Sequence, residues 1–258
     1  MKLASWNVNS LKVRLPQLLH YLETRQPDVV CLQETKLEDA NFPRQELESA
    51  GYSVAFSGQK TYNGVALLSR NALGGLDDVT CGNPLFEDPQ KRLIAATIDG
   101  IRVICSYIPN GQEVGSDKYA YKLAWLDALE RWLGEELTRH PQLVLAGDFN
   151  IAPDDRDVYD PEAWAGKILC SAAERAAFLR LAQLGMHDSF RRFEQPEKSF
   201  SWWDYRMLGF PKNLGLRIDH ILLSKPLAER CSAAGIDRDM RKLERPSDHA
   251  PVTATLDR

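Results

Sequence analysis

The run LVLAGDFNIAP, Leu143 to Pro153, is apolar enough for a protein interior and stops abruptly in Asp148 and Asn150. A carboxylate at the end of a buried strand loses hydration unless something pairs with it, so the rest of the chain must supply partners. Other apolar runs end the same way: KLASWN closes on Asn7, DVVCLQE on Glu34 and RVICSY on Tyr107. Towards the C-terminus the order reverses, with Asp219 ahead of HILLS, and Asp248 and His249 ahead of APVTATL. Hard divalent cations such as Mg²⁺ take oxygen ligands, commonly one or two carboxylates, and keep waters for a phosphate group. Glu34 and Asp248 suit that task, with the Asn7 carboxamide nearby. Asp148 would then deprotonate or orient a water, Asn150 would hold it, and His249 backed by Asp219 would donate towards phosphate. As a set these residues read as metal-assisted phosphodiester hydrolysis.

Taken one at a time, each has an ordinary explanation. Asp148 and Asn150 are common turn and helix-cap residues. Glu34 could be a solvated loop acid, Asp248 could cap a turn after Pro246, and Tyr107 could be packing at a strand end. A satisfied structural histidine is more common than a catalytic one, which applies to His249. These readings must hold independently of one another, whereas a single chemistry accounts for them all.

The elements that would carry these residues are short and β-rich: KLASW, DVVCLQ, GVALLS, RLIAATI, RVICSYI, LVLAGD, RIDHILLS and APVTATL, mostly with turn residues nearby. Helical patterns lie between some of them. Leu11, Leu15, Leu18, Leu19 and Leu22 share one face, as do Leu123, Leu126, Leu129, Trp132, Leu133 and Leu137. Ser171 and Glu174 have capping-box spacing, and Gly185 is a suitable stop. With no internal repeat, low-complexity tract or linker, one mixed α/β domain over residues 1–258, with sheets covered by helices, is the economical expectation. If the strands run through one core, their polar ends gather at one rim.

Composition narrows the class without deciding it. The chain has 258 residues, 44% of them hydrophobic, which is ordinary for a protein with a sizeable core. A net charge of -4 argues against bulk coating of nucleic acid, yet leaves room for a locally basic cleft. The five cysteines are widely spaced and contain no Cys-x-x-Cys pair, so buried reduced thiols are expected, Cys31 and Cys105 among them. No run of about twenty apolar residues is present, and MKLASWNVNS lacks the features of a signal peptide. A soluble, cytoplasmic protein follows as the expectation.

The motifs WNVNSL, LQETK, GVALLSR, YIPNG, GDFNIAP, SWWDYR, GLRIDHIL and PSDHAPV, in this order and spacing, resemble the exonuclease III family of abasic-site endonucleases, in its bacterial branch. The resemblance spans essentially the entire chain. GDFN and SDHAPV are features of the wider endonuclease/exonuclease/phosphatase superfamily, and SWWDYR with GLRIDH narrows the match to DNA repair enzymes. The resemblance implies a four-layer α/β sandwich, two packed mixed β-sheets flanked by helices, with the active site at one edge. It implies that Asn7, Glu34 and Asp248 hold Mg²⁺, with Mn²⁺ as a substitute, and that Tyr107, Asp148, Asn150, Asp219 and His249 are catalytic. Asp148, Asn150 and His249 could form a second metal site. Asn9 also matches a position near the metal, where some relatives carry Asp.

The implied reaction is hydrolysis of the phosphodiester 5' to an abasic site, with 3'-5' exonuclease and 3'-phosphatase activities at the same site. The implied partner is double-stranded DNA with abasic sites or blocked 3' ends, bound by a monomer. Strand alternation turns Trp203 inward and Trp202 outward. By resemblance, Trp202, Leu216 and Ile218 line an apolar pocket for the flipped-out sugar. Lys60, Tyr62, Asn63, Gly64, Arg92 and Arg206 are candidates for contacts to the DNA backbone, where cations and amides serve better than base-reading groups. Thr61 departs from the frequent QKG opening of that loop. In DRDVYDPEAWAGKILCSAAER, Trp164 is expected to be structural, and Lys167 is a further contact candidate. Two other readings remain: a phosphoesterase of the same superfamily acting on another substrate, or a non-catalytic nucleic-acid-binding regulator, which would be expected to lose metal ligands.

Overall fold

In the computed structural model, which describes residues 1–257, the chain opens with β1 (Lys2–Asn7), α1 (Leu11–Arg25) and β2 (Val29–Gln33). It continues through α2 (Arg44–Ser49), β3 (Tyr52–Ser57), β4 (Val65–Arg70), β5 (Asp77–Cys81), β6 (Leu93–Ile98) and β7 (Ile101–Tyr107) to the long helix α3 (Asp117–Arg139). Then follow β8 (Leu143–Asp148), α4 (Pro161–Trp164), α5 (Ala172–Gln183), β9 (Met186–Asp188), β10 (Trp202–Trp203) and β11 (Gly215–Leu216). The last elements are β12 (Asp219–Ser224), α6 (Lys225–Glu229), β13 (Cys231–Ile236) and β14 (Val252–Leu256).

The strands form two six-stranded mixed sheets, ordered β13-β14-β1-β2-β4-β3 and β5-β6-β7-β8-β12-β9, while β10 and β11 pair as a small hairpin. Leu3, Val29, Cys31, Val65 and Leu67 of the first sheet pack against Ile94, Val103, Cys105, Val144, Ala146 and Ile221 of the second. Behind the second sheet, Ile104, Leu143 and Leu145 pack on Trp125, Leu129, Trp132 and Leu133 of α3 and on Phe178 and Leu181 of α5. Behind the first, Ala4, Trp6, Val30 and Leu32 pack on Leu11, Leu18 and Leu22 of α1. This is the expected four-layer sandwich, helix, sheet, sheet, helix.

The apolar runs expected to be strands all are. The expected capping box at Ser171 and Glu174 is formed, with reciprocal side-chain to backbone bonds at the start of α5. Six further strands, β3, β5, β9, β10, β11 and β13, had weaker patterns: β5 is almost wholly exposed, and β10 and β11 are two residues each. No helix among the described residues is long and apolar enough to cross a membrane. All five cysteines are free, and Cys31 and Cys105 are buried between the sheets as expected.

Candidate active site

Side chains alternate across a strand, so residues of one parity share one face of a sheet. Val144 and Ala146 of β8 face the space between the sheets, and that parity continues to Asp148. Leu3 of β1 leads to Asn7, Val29 and Cys31 of β2 lead to Gln33, Val103 and Cys105 of β7 lead to Tyr107, and Ile221 of β12 follows Asp219. The ladders then bring these residues level. Tyr107 pairs with Asp148 in the parallel β7–β8 ladder, Asp219 pairs with Asp148 in the antiparallel β12–β8 ladder, and Asn7 pairs with Gln33. One end of the inter-sheet core is therefore lined with polar groups.

The backbone around this rim adopts left-handed conformations that L-residues seldom hold: φ is +43° at Asn9, +51° at Glu34 and +50° at Asn150. Such strain persists where the surrounding structure over-determines it. Asn150 shows how. Its backbone N–H donates to Asp148 Oδ1 at 2.9 Å, its side-chain amide donates to the Ile108 carbonyl at 3.0 Å, and Asn110 donates to its Oδ1 at 3.0 Å. The buried Lys122 ammonium, paired with Glu174, donates to the Asn150 carbonyl at 2.7 Å and the Asn110 carbonyl at 3.2 Å. These bonds occupy one of the two N–H groups and one of the two lone pairs of the Asn150 amide. What it gives Asp148 is its backbone N–H.

Glu34, Asp148 and His249 each offer a ligand atom, all within 4.8 Å of one another. The two carboxylates suit a divalent cation that prefers oxygen ligands. The Asn7 amide nitrogen bridges the two acids, donating to Glu34 Oε1 at 2.8 Å and Asp148 Oδ2 at 2.9 Å, while its Oδ1 accepts from the Asn9 N–H. For Asn7 to present oxygen to a cation its amide must turn over. Asp248 does not join the three. Its Oδ1 accepts from Asn9 Nδ2 and its Oδ2 from the Trp202 indole, at 2.9 and 3.0 Å, and Lys36 ties Asn9 Oδ1 back to Glu34. Asn9, Lys36, Asn110, Lys122 and Ser201 thus support the site. Of these only Asn9 stood out from the sequence, because the others reach the site through contacts that no local pattern announces.

The charges settle unequally. Burial raises the Asp148 carboxyl to about 7, the Asp219 and Glu34 carboxylates adding to the effect while His249 and the Asn7 amide oppose it. Burial works against a charged His249, yet Asp219 and Asp148 more than reverse it and raise the imidazole to about 10. Its Nδ1 donates to Asp219 Oδ2 at 2.9 Å, and Asp219 is itself fixed by the Ser201 hydroxyl at 2.6 Å. The Nε2 lies 3.8 Å from Asp148 Oδ2, an ion-pair separation too long for a hydrogen bond, which leaves its proton free for a third atom. Burial, with the Glu34 and Asp148 carboxylates, raises the Tyr107 phenol well above its ordinary value despite Arg92, which stacks 4.8 Å from its ring centre. Tyr107 stays a donor. Burial disfavours the Asp248 carboxylate, but His249, Trp202 and Asn9 outweigh it and lower its pKa.

The outer candidates divide. Trp203 is buried and Trp202 half-buried, as alternation requires. Leu216 and Ile218 are 0% and 2% exposed, packed with Ala152, Val158, Leu169 and Cys170 beneath Trp202. The three residues expected to line an apolar pocket thus belong to one apolar cluster. Asn63 is buried with its amide on Gln59 and Gln90, so its side chain is not free for a backbone contact; Gln90 in turn holds Arg92. Lys60, Tyr62 and Lys167 are exposed, and Arg206 is exposed with its guanidinium on Asp204. Trp164 packs edge-on against Tyr159, the structural role expected of it. The GLRIDH stretch contributes a group that sequence reasoning passed over: Arg217, buried, binds Asp157, Asp188 and His220 and anchors the loop after β8.

Comparison with known proteins gives this arrangement a lineage. Residues 4–249 match the endonuclease/exonuclease/phosphatase family. The chain is 40% identical to exodeoxyribonuclease III of Haemophilus influenzae, over 98% of this chain and 99% of that one. A 3' phosphatase from Neisseria, solved bound to product DNA hairpin, superposes with a TM-score of 0.97 at 49% identity, with all of both chains covered. An AP endonuclease from Archaeoglobus fulgidus superposes with a TM-score of 0.93 at 39% identity, again over both whole chains. Sequence and fold agree along the full length, and the chain belongs to the endonuclease/exonuclease/phosphatase family.

Proposed function

We propose that this protein is a Mg²⁺-dependent DNA repair nuclease that hydrolyses the phosphodiester 5' to abasic sites and clears phosphates and nucleotides from 3' ends. The observation that carries the reading is the convergence of Glu34, Asp148 and His249, with Asp219 behind the imidazole, in a chain that matches DNA repair enzymes end to end. Glu34, with Asn7 and Asp248 near it, would hold the cation and leave Asp148 free for the water. When bound, Mg²⁺, or Mn²⁺ in its place, supplies a Lewis acid that offsets phosphate charge.

The chain's own residues do the rest. Asp148, whose carboxyl is raised towards neutrality by burial, is the group placed to take a proton from the attacking water. The water oxygen bonds to phosphorus, the P–O3' bond breaks, and the leaving oxygen departs as a 3' hydroxyl. His249 remains protonated well above neutrality and donates from Nε2 to a phosphoryl oxygen. Tyr107 donates to phosphate or to the leaving oxygen. Lys60, Tyr62, Arg92 and Arg206 would contact the DNA backbone, and the protein would work as a cytoplasmic monomer with a single catalytic domain over residues 1–258.

A flipped-out sugar has to be extruded from the duplex at the cost of unstacking, whereas a 3' end reaches the site without that step. Abasic incision and 3'-phosphate removal are therefore compared side by side. The test is gel analysis of the purified protein with three duplexes, one with an abasic-site analogue, one with a 3' phosphate and one undamaged, each with Mg²⁺ and with EDTA. Metal-dependent cleavage supports the reading; a folded protein inactive on all three, with metal supplied, refutes it.

A further inference from the structure

Arg14 lies on α1, outside every group discussed so far, and its guanidinium joins three loops. Nη1 donates to the Asn9 carbonyl at 2.6 Å, and Nη2 donates to the Tyr205 hydroxyl at 3.0 Å and the Pro246 carbonyl at 2.9 Å. The Tyr205 hydroxyl also donates to Pro246, at 2.8 Å, which closes a triangle. Each corner leads somewhere. Asn9 holds Asp248 Oδ1, Pro246 begins the segment in which Ser247 binds the Asn7 carbonyl and the His249 N–H, and Tyr205 begins a protruding turn. In that turn Met207 and Leu208 are 79% and 63% exposed and hold φ of +59° and +56°. Two adjacent apolar residues exposed in a left-handed conformation stand ready for contact with a ligand. Arg241, whose guanidinium sits 5.5 Å from the Tyr205 ring centre and binds the Ser247 carbonyl, braces the same triangle from behind.

We propose that Arg14 is a positioning residue, which with the Tyr205 hydroxyl makes one mechanical unit of the 204–208 turn and the Asn9–Asp248 pair. Contact of DNA with the turn is thereby transmitted to the carboxylate end of the site. The link is short and polar at every step. A guanidinium that only anchored its helix would stop at the Asn9 carbonyl, just ahead of α1; this one also bonds to Tyr205 and Pro246, both far away in the chain. The proposal rests on the nuclease reading, and its test separates the two.

The variants are Tyr205→Phe, Arg14→Gln, Arg14→Lys and the double Arg14→Gln/Tyr205→Phe, all in the full chain. One readout is kcat and KM for 3'-phosphate removal. The other is the Mn²⁺ dissociation constant, measured by electron paramagnetic resonance with and without a phosphorothioate-blocked duplex. Binding linkage is reciprocal, so a duplex that tightens Mn²⁺ binding reports the coupling directly. In the wild type the duplex should tighten Mn²⁺ binding. In Tyr205→Phe and Arg14→Gln that tightening should fall about three- to tenfold, the worth of one or two partly exposed hydrogen bonds, with a like fall in kcat and little change in KM. The double variant should be no worse than the worse single one, and Arg14→Lys should recover part of the loss. Tightening and kcat unchanged, with only KM or thermal stability altered, overturns the proposal. Tyr205→Phe keeps the test open should Arg14→Gln fold poorly. A wild type that neither binds Mn²⁺ nor cleaves overturns the nuclease reading itself.

Discussion

Asp148 and Asp219 face each other across the β8–β12 ladder, and His249 is held between them, hydrogen-bonded to Asp219 on one side and 3.8 Å from Asp148 on the other. The pair therefore divides its labour by position. Asp219, fixed by Ser201, orients and charges the imidazole; Asp148, crowded and buried, keeps an affinity for protons near neutrality.

Removing the Asp148 charge should sharply slow turnover and relieve the fold. Asp148→Asn is expected to lower kcat by about 10²–10⁴-fold, the range for loss of a general base. In the folded chain Asp148 binds its proton up to about 7, against 3.8 when unfolded, so its ionisation opposes folding increasingly as pH rises between these values. Without metal, Asp148→Asn should thus be the more stable protein at pH 8, with the difference vanishing towards pH 4. Urea denaturation in EDTA at the two pH values measures this; a wild type more stable at pH 8 would contradict it.

The imidazole carries a separate signature. His249 keeps its proton to about 10 when folded and loses it near 6.5 when unfolded, so its charged form stabilises the protein fully below about 6.5, and that contribution is lost as pH rises through about 10. Asp219→Asn removes the larger of the two attractive charges and should lower the His249 pKa while reducing kcat on the alkaline side. Titration of the imidazole by NMR reads the shift. A histidine that still titrates near 10 would show that Asp219 is not what holds its charge.

Gly147 tests how closely β7 and β8 must approach. A Cβ added there would lie 1.8 Å from the Ser106 carbonyl oxygen, a backbone atom that cannot rotate aside. Gly147→Ala should cost about 1–3 kcal/mol or more, and it should impair catalysis by shifting Asp148 against Tyr107. Denaturant unfolding with parallel kinetics decides; near-wild-type values for both would mean the ladder tolerates a wider spacing.

Arg217→Leu should destabilise by about 1–3 kcal/mol, since it takes the cationic partner from Asp188 and leaves the buried Asp157 with Arg191 alone. Hydrogen exchange should localise the loosening to residues 151–158, which Arg217 and His220 anchor through Asp157 and the Ile151 carbonyl. Adding Asp188→Asn should recover part of the loss. Uniform loosening of the whole chain would count against a local anchor.

Much of this was legible in one dimension. Apolar runs ending in Asn7, Glu34, Tyr107 and Asp148 place those residues at strand ends, and strand parity turns Asn7, Tyr107 and Asp148 to the same side as the core residues before them. The Ser171–Glu174 capping box was equally local, since both partners lie within one helical turn. Such features depend on neighbours a few positions away, and the sequence by itself determined them. Other features depend on distant segments. The bonds of the Asn150 amide to Ile108 and Asn110, the grip of Asn9 and Trp202 on Asp248, and the packing of Leu216 and Ile218 against Ala152, Val158, Leu169 and Cys170 all arise between segments far apart in the chain. Only the tertiary structure decided these, because which donor meets which acceptor depends on how two sheets and their loops come to rest against one another. The same residue types in another packing would point their hydrogen bonds elsewhere.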